Sequence, residues 1–246
     1  MTQQIRVAIL SFAHYHANFW AEAFRDSPLA AFVGIWDDNA ARGKEAANRF
    51  GVPFWPELSP LLETCEAVGI TSETVRHAPL IEAAASQGCH ILCEKPLATT
   101  LEDAEKISGI VEKTGVLFMQ SFPKRFDPVN HELRRTIQQG ELGRIILARV
   151  RHGHFHGLDP HFITQWYVDP ALGGGGALLD EGIHGADLIR WLFGEPERVT
   201  AMTSDAALGL RVEDVAVAVF RFRNGLLAEL STSCGFVAGD NSVEVY

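Results

Sequence analysis

Nothing in this chain reads as a membrane span or a nucleic-acid surface. No apolar run approaches the roughly 20 residues that a bilayer-crossing helix needs. Lys and Arg number 21 against 31 acidic residues, for a net charge of −10, and the arginines are scattered. Phosphate binding needs clustered cations, so neither a nucleic-acid nor a membrane partner is expected. The first residues, Met1-Thr2-Gln3-Gln4-Ile5-Arg6, lack the charged-then-apolar layout of a secretory signal. Cysteine is scarce, and Cys65, Cys89, Cys93 and Cys234 show neither metal spacing nor a disulfide framework. Cys89 and Cys93 would share one strand face yet lie too far apart to bridge. A reducing cytoplasm is the expected home. Repeats and low-complexity tracts are also missing.

What is present is ordinary for a soluble globular protein. Of 246 residues, 47% are hydrophobic and 21% charged, enough for one large domain or two ordinary ones. The first half alternates strand-like runs (Arg6 to Ser11, Ala31 to Trp36, Ala67 to Thr71, Ile91 to Cys93, Val116 to Gln120) with helix-period stretches. The helices span about Tyr15 to Asp26, Asn39 to Phe50 and Val75 to Gln87, and a further one starts at Thr99 or Thr100. Asn39 is placed as an N-cap, and Glu102 and Asp103 suit a first turn. This alternation predicts a parallel sheet with right-handed crossovers.

After Pro123 the pattern changes. A helix from Val129 to Gln139 is followed by a long alternating strand from Arg144 to His156. A polar, aromatic loop then leads through four glycines, Gly173 to Gly176, into a helix from Ala177 to Phe193. Three strands follow: Val199 to Ser204, Val212 to Arg223 and Leu226 to Cys234, the last two joined at Asn224-Gly225, a strong hairpin signal. The prediction is a Rossmann-like parallel-sheet domain over residues 1–122. An α+β domain with a mainly antiparallel open sheet follows over residues 123–246. The end, Val243 to Tyr246, reads as an edge strand, so either a partner covers it or the chain is a shortened version of a longer one.

The first strand–turn–helix should carry G-x-G-x-x-G if it binds a dinucleotide. Ser11, Ala13 and His16 stand at those positions, in Ser11-Phe12-Ala13-His14-Tyr15-His16. Ser and Ala are small enough for phosphate to approach, whereas His16 must point outward or widen the helix–sheet gap. His14 and His16 either flank an anion site at the helix N-terminus or are surface residues at a helix start. Asp37, closing the second strand, suits a ribose hydroxyl and disfavours a 2′-phosphate, or it merely helps start a helix.

Two motifs carry chemistry. Cys93-Glu94-Lys95-Pro96 ends the fourth strand, where open α/β sheets bind ligands; its alternative is a solvated loop Lys. Downstream of the glycines, Asp180 and His184 are four apart on one expected helix, either as an acid–base pair or as a structural i,i+4 contact. His152, His154 and His156 alternate on one strand face with Asp159 and His161 nearby. They could line a substrate pocket, a subunit contact or a metal site, and no metal is expected. Trp166 and Tyr167 suit sugar stacking or core anchoring. Thr71, Ser72, Glu73, Arg76 and His77 follow the third strand, near the expected cofactor cleft.

Together these motifs resemble the Gfo/Idh/MocA family (glucose–fructose oxidoreductase and inositol dehydrogenase relatives). The resemblance rests on Cys93-Glu94-Lys95-Pro96-Leu97-Ala98 and on Gly174 to His184. Arg125-Phe126-Asp127-Pro128 and Gly140-Glu141-Leu142-Gly143-Arg144-Ile145 fit that family's domain junction. It implies hydride transfer between NAD (NADP less favoured) and a carbinol carbon of a sugar, inositol or related polyol. Lys95, Asp180 and His184 would be catalytic. Ser11, Phe12, Ala13, His14, His16, Asp37, Thr71, Ser72, His77, Glu94, Lys95 and Pro96 would face the cofactor. Lys95, Arg125, Trp166, Tyr167, Asp180 and His184 would face the substrate. The resemblance also implies a cis Lys95-Pro96 bond and a homodimer or homotetramer formed through the open sheet. The departures at Ser11, Ala13 and His16 motivate a rival reading, a non-catalytic binding or regulatory relative that has lost tight cofactor binding. A third reading is a redox-neutral enzyme that cycles NAD internally.

Overall fold

The structure, a computed structural model, describes residues 3–237 and 241–246. These fall into two compact units, one running through Ser121 and the other starting at Phe122.

The first unit runs β1 (Ile5–Leu10), α1 (Ala17–Asp26), β2 (Ala30–Trp36), α2 (Ala40–Phe50), β3 (Phe54–Trp55), α3 (Leu58–Leu62), β4 (Ala67–Ile70), α4 (His77–Ser86), β5 (His90–Cys93), α5 (Leu101–Thr114) and β6 (Phe118–Gln120). Its sheet is parallel throughout, in the order β3-β2-β1-β4-β5-β6. Parallel sheets are covered on both faces, and β1 shows why its run is continuously apolar. Ala8 and Leu10 pack with Ile70, Ile81 and Ile107, while Ile9 joins Ala17, Ala21 and Ile35 in a separate core cluster. Asn39 and Thr100 cap α2 and α5 as expected, accepting from the amides of Ala41 and Arg42 and of Asp103. Sequence periodicity missed β3 and α3, because two and five residues are too short to show a period.

The second unit runs α6 (Pro128–Gln138), β7 (Leu147–Arg151), α7 (Pro170–Gly173), α8 (Ala177–Asp180), α9 (Gly182–Phe193), β8 (Arg198–Ser204), β9 (Val215–Arg221), β10 (Leu227–Ser233) and β11 (Ser242–Val245). The sheet order is β11-β7-β10-β9-β8. Within this sheet only the β7–β10 pairing is parallel among the described strands. Ala148, Val150, Ala218, Phe220, Ala228 and Leu230 point inward against Ile189 of α9. The opposite face is open, with Val217 and Val219 exposed between their buried neighbours on β9.

Three expectations need correction. The strand expected over 144–156 ends at Arg151, and beyond it only the His152 and His154 amides still reach β10, at the carbonyls of Ser231 and Ser233. The loop before the glycines is a series of 3-10 turns over 156–158, 162–164 and 166–168, followed by α7. The helix expected from Ala177 to Phe193 is broken at Glu181 (φ −99°, ψ −40°) into α8 and α9.

Ile9 lies at the centre of the first sheet with no exposed surface. Ile9→Ala should destabilise the chain by about 2–5 kcal/mol through lost transfer energy and the cavity left behind. Urea unfolding measures this, and a loss below about 1 kcal/mol would contradict so central a place.

Candidate functional site

The strand order reverses between β1 and β4, and ligands of doubly wound sheets bind outside the carboxyl ends there. The β1–α1 turn occupies that position. Ser11 takes the left-handed conformation that a fingerprint glycine would take, with φ 74°. Its hydroxyl accepts from the Ala13 amide (3.2 Å) and from Arg42 Nη2 (3.1 Å), local bonds that offset the steric cost. The helix starts one residue after His16, and Ala17 and Ala21, both fully buried, provide the close helix–sheet contact. His16 points instead at Glu94, with Nδ1 2.9 Å from Oε1. His14 is buried, so the surface reading fails for it. The amides of Phe12, Ala13, His14 and His16 already bond within the protein, to Asp37, Ser11 Oγ, the Thr71 carbonyl and His14 Nδ1.

Asp37 does more than start a helix. Its buried carboxylate accepts from the Phe12 amide (2.7 Å), the Asn39 amide (2.8 Å), Arg42 Nε (2.9 Å) and Arg42 Nη2 (2.8 Å). Arg42 also reaches Asp38 and Glu73, and Arg76 bridges the same two carboxylates. Despite its burial, Arg42 is held above the usual guanidinium range by these acids, Asp37 foremost.

At the end of β5, Glu94 and Lys95 are both buried, which excludes a solvated loop lysine. Glu94 accepts from its neighbour's amide, Lys95 N, at 3.0 Å and from Ser121 Oγ at 3.3 Å. The Lys95-Pro96 peptide is cis. Beneath it, the fully buried His77 donates Nδ1–H to the Pro96 carbonyl at 2.9 Å. Desolvation outweighs this and its other backbone bonds and keeps His77 below its ordinary pKa. Thr74 Oγ1 and Gln120 Oε1, following β4 and closing β6, are buried without a partner among the described residues. Such orphaned groups suit a polar ligand lying across these strand ends, and a dinucleotide is one such ligand.

In the second unit the glycine run wraps a carboxylate. Glu213 accepts from the Gly176 amide (2.9 Å) and the Leu178 amide (3.0 Å), and its carbonyl takes the Ala177 amide (2.8 Å). A Cβ on Gly176 would sit 2.0 Å from the Glu213 carbonyl oxygen, and Gly174 turns at φ 83°. These two positions explain the glycines. Because of the break at Glu181, the spacing of Asp180 and His184 no longer places them on one continuous helix. Asp180 clusters with His154 and Glu181. His184 is buried, its ring 5.0 Å from that of His152 and 6.3 Å from that of Phe122. Arg125, expected to face substrate, closes bidentately on the buried Asp187 of α9 at 2.8 and 2.6 Å. Tyr167 stacks on Phe162 (5.8 Å, 4°) with Trp166 beside it at 4.2 Å.

Two groups could hold a metal by proximity: His14, His16 and Glu94, and His154, Asp180 and Glu181. In each, the first histidine accepts a main-chain amide at Nδ1, from His16 in one case and His156 in the other. The neutral ring then carries its proton on Nε2 and presents no lone pair to a metal, so neither is assigned as a metal centre. Sequence reasoning missed Arg42, Glu181 and Glu213. Only the i,i+5 spacing of Asp37 and Arg42 offered any signal.

A family model described as an oxidoreductase family with an NAD-binding Rossmann fold, GFO/IDH/MocA, matches residues 5–122, and the GFO/IDH/MocA C-terminal domain matches residues 130–246. The chain belongs to the Gfo/Idh/MocA family. A 1,5-anhydro-D-fructose reductase from Ensifer adhaerens is 32% identical over 74% of this chain and 54% of its own length. The scyllo-inositol 2-dehydrogenase (NAD(+)) of Bacillus subtilis is 32% identical over 79% of this chain and 55% of its own. The chain thus spans about half the length of these Gfo/Idh/MocA relatives. A crystal structure of GenD2, from gentamicin A biosynthesis and in complex with NAD, superposes with a TM-score of 0.89 at 26% identity, covering 100% of this chain and 70% of that one.

His77 yields a pH prediction. Its folded pKa lies below the unfolded value of 6.5, so its contribution is complete above that pH and is lost as pH falls toward the folded value. The urea midpoint should drop between about pH 7 and about pH 5 more steeply in the parent than in His77→Asn. Equal slopes would refute the neutral buried ring.

Proposed function

We propose that this chain is an NAD-dependent oxidoreductase acting on a carbinol carbon of a sugar, inositol or related polyol. The observation that carries the reading is the buried Lys95, set at the carboxyl end of a Rossmann strand on a segment pinned by His77. Burying a cation is costly, and this one lies at the carboxyl end of a parallel strand, where ligands of such sheets bind. A bound nicotinamide would supply two-electron redox chemistry. In this reading Lys95 would hold the substrate hydroxyl and the nicotinamide ribose, His184 would take the hydroxyl proton, and Asp180 would orient the substrate. Trp166 and Tyr167 offer aromatic faces to a sugar ring. Arg125 holds α9 through Asp187.

NAD is favoured over NADP. Asp37, Asp38 and Glu73 outnumber Arg42 and Arg76 around the end of β2, a balance that repels a 2′-phosphate. Cysteines 65, 89, 93 and 234 are all free thiols, which fits a reducing cytoplasm. Among the described residues no helix is long and apolar enough to cross a membrane.

Calorimetric titration should show NAD binding at least about tenfold tighter than NADP. No binding of either at about millimolar levels by folded protein would overturn the assignment. With NAD bound, a polyol panel followed by nicotinamide absorbance should give turnover that Lys95→Ala reduces by about 100-fold or more. An unchanged rate in that variant would remove Lys95 from the mechanism.

The open sheet face supports a homodimer or homotetramer. Val217 (43% exposed), Val219 (42%) and Leu227 (43%) leave apolar surface on strands whose other face is core, and Met202 (80%) on the edge strand β8 extends it. Sedimentation should show a dimer or tetramer that Val219→Asp dissociates. A monomeric parent protein would end this proposal.

A further inference from the structure

Glu181 sits where the helix breaks, and its two oxygens are shared between two imidazoles. Oε2 lies 3.2 Å from His152 Nε2, and Oε1 lies 3.6 Å from His154 Nε2. The second distance is too long for a firm hydrogen bond, so the carboxylate is committed mainly to His152. The His152 main chain is itself fixed by its amide bond to the Ser231 carbonyl on β10. Its ring meets that of His184 edge-on, at 66° and 5.0 Å between centroids, and Phe122 meets the same His184 ring at 85° and 6.3 Å. His152 and His184 are 7% and 6% exposed, so the contact is dry. Had α8 and α9 been one continuous helix, Glu181 would occupy a regular helical position. The interruption is what places its carboxylate on β7's extension while α9 carries His184.

We propose that Glu181 and His152 are positioning residues for His184: the carboxylate holds the His152 ring, and that ring fixes the rotamer of the His184 imidazole. This rests on the reading of His184 as the proton acceptor. Neither Glu181 nor His152 needs to touch substrate for the effect. A base that wanders out of line loses rate with little loss of binding, because ground-state contacts are made elsewhere.

The test compares Glu181→Ala, Glu181→Gln, His152→Asn and the double variant Glu181→Ala/His152→Asn in the full chain. Glu181→Ala and His152→Asn should each lower kcat by about tenfold or more, with KM changed by less than about twofold. Glu181→Gln, which keeps an oxygen for His152, should recover most of the rate. The double variant should lose no more than the worse single variant, since both act through one path. Full kcat in Glu181→Ala, or a double loss equal to the product of the single losses, would overturn the proposal. Nitrogen-15 NMR of the histidine rings in cofactor-free protein gives a second readout. Displaced His184 resonances in Glu181→Ala support the proposal, and unmoved ones refute it. A parent protein without dehydrogenase activity would defeat the functional reading, and the NMR result would still decide the positioning.

Discussion

The first unit depends on one buried carboxylate. Asp37 joins β2 to the β1–α1 turn through the Phe12 amide, to α2 through the Asn39 amide, and to Arg42 through two further bonds. Removing one partner from such a network leaves a charge unpaired in a dry site, commonly a loss of about 3–5 kcal/mol. The same network explains how a serine can stand where a glycine is usual. Arg42 reaches past Asp37 to the Ser11 hydroxyl, and that hydroxyl also holds the Ala13 amide. A turn without fingerprint glycines therefore keeps a fingerprint-like path.

Carboxylates organise the second unit in the same manner. Glu213 occupies the amides of the glycine run at the start of α8, where an anion is favoured by the exposed N–H groups. Asp187 ties α9 to Arg125, and that guanidinium is raised above its usual range by the pairing. Glu181 divides itself between His152 and His154. Three acids thus set the start of α8, the break before α9 and the seat of α9, and with them the surroundings of Asp180 and His184.

The net charge of −10 therefore says little about any one site in the chain. A few of its acids, Asp37, Glu94 and Asp187 among them, serve as buried acceptors near strand and helix ends. Lys95, at the end of β5, stands in a segment held by the buried His77, whose ring desolvation keeps below its ordinary pKa. Local charge, and not the net value, sets the chemistry there.

Much of the fold was legible from the chain itself. Strand–helix alternation, the caps at Asn39 and Thr100, the hairpin at Asn224-Gly225 and the address of Lys95 after a strand all depend on residues close in sequence. Short elements escaped, as β3 and α3 show, because two to five residues cannot display a period. The continuous helix expected through Glu181 failed for a different reason: helical spacing is a local property, and the histidines that face Glu181's carboxylate come from the segment just beyond β7. The sequence by itself determined which residues could do chemistry and which segments would carry them. Only the tertiary structure decided which carboxylates those residues meet, since Phe12 and Asp37 lie 25 positions apart and Gly176 and Glu213 lie 37 apart. Hydrogen bonds across such separations are satisfied in space, by groups that no local pattern brings together.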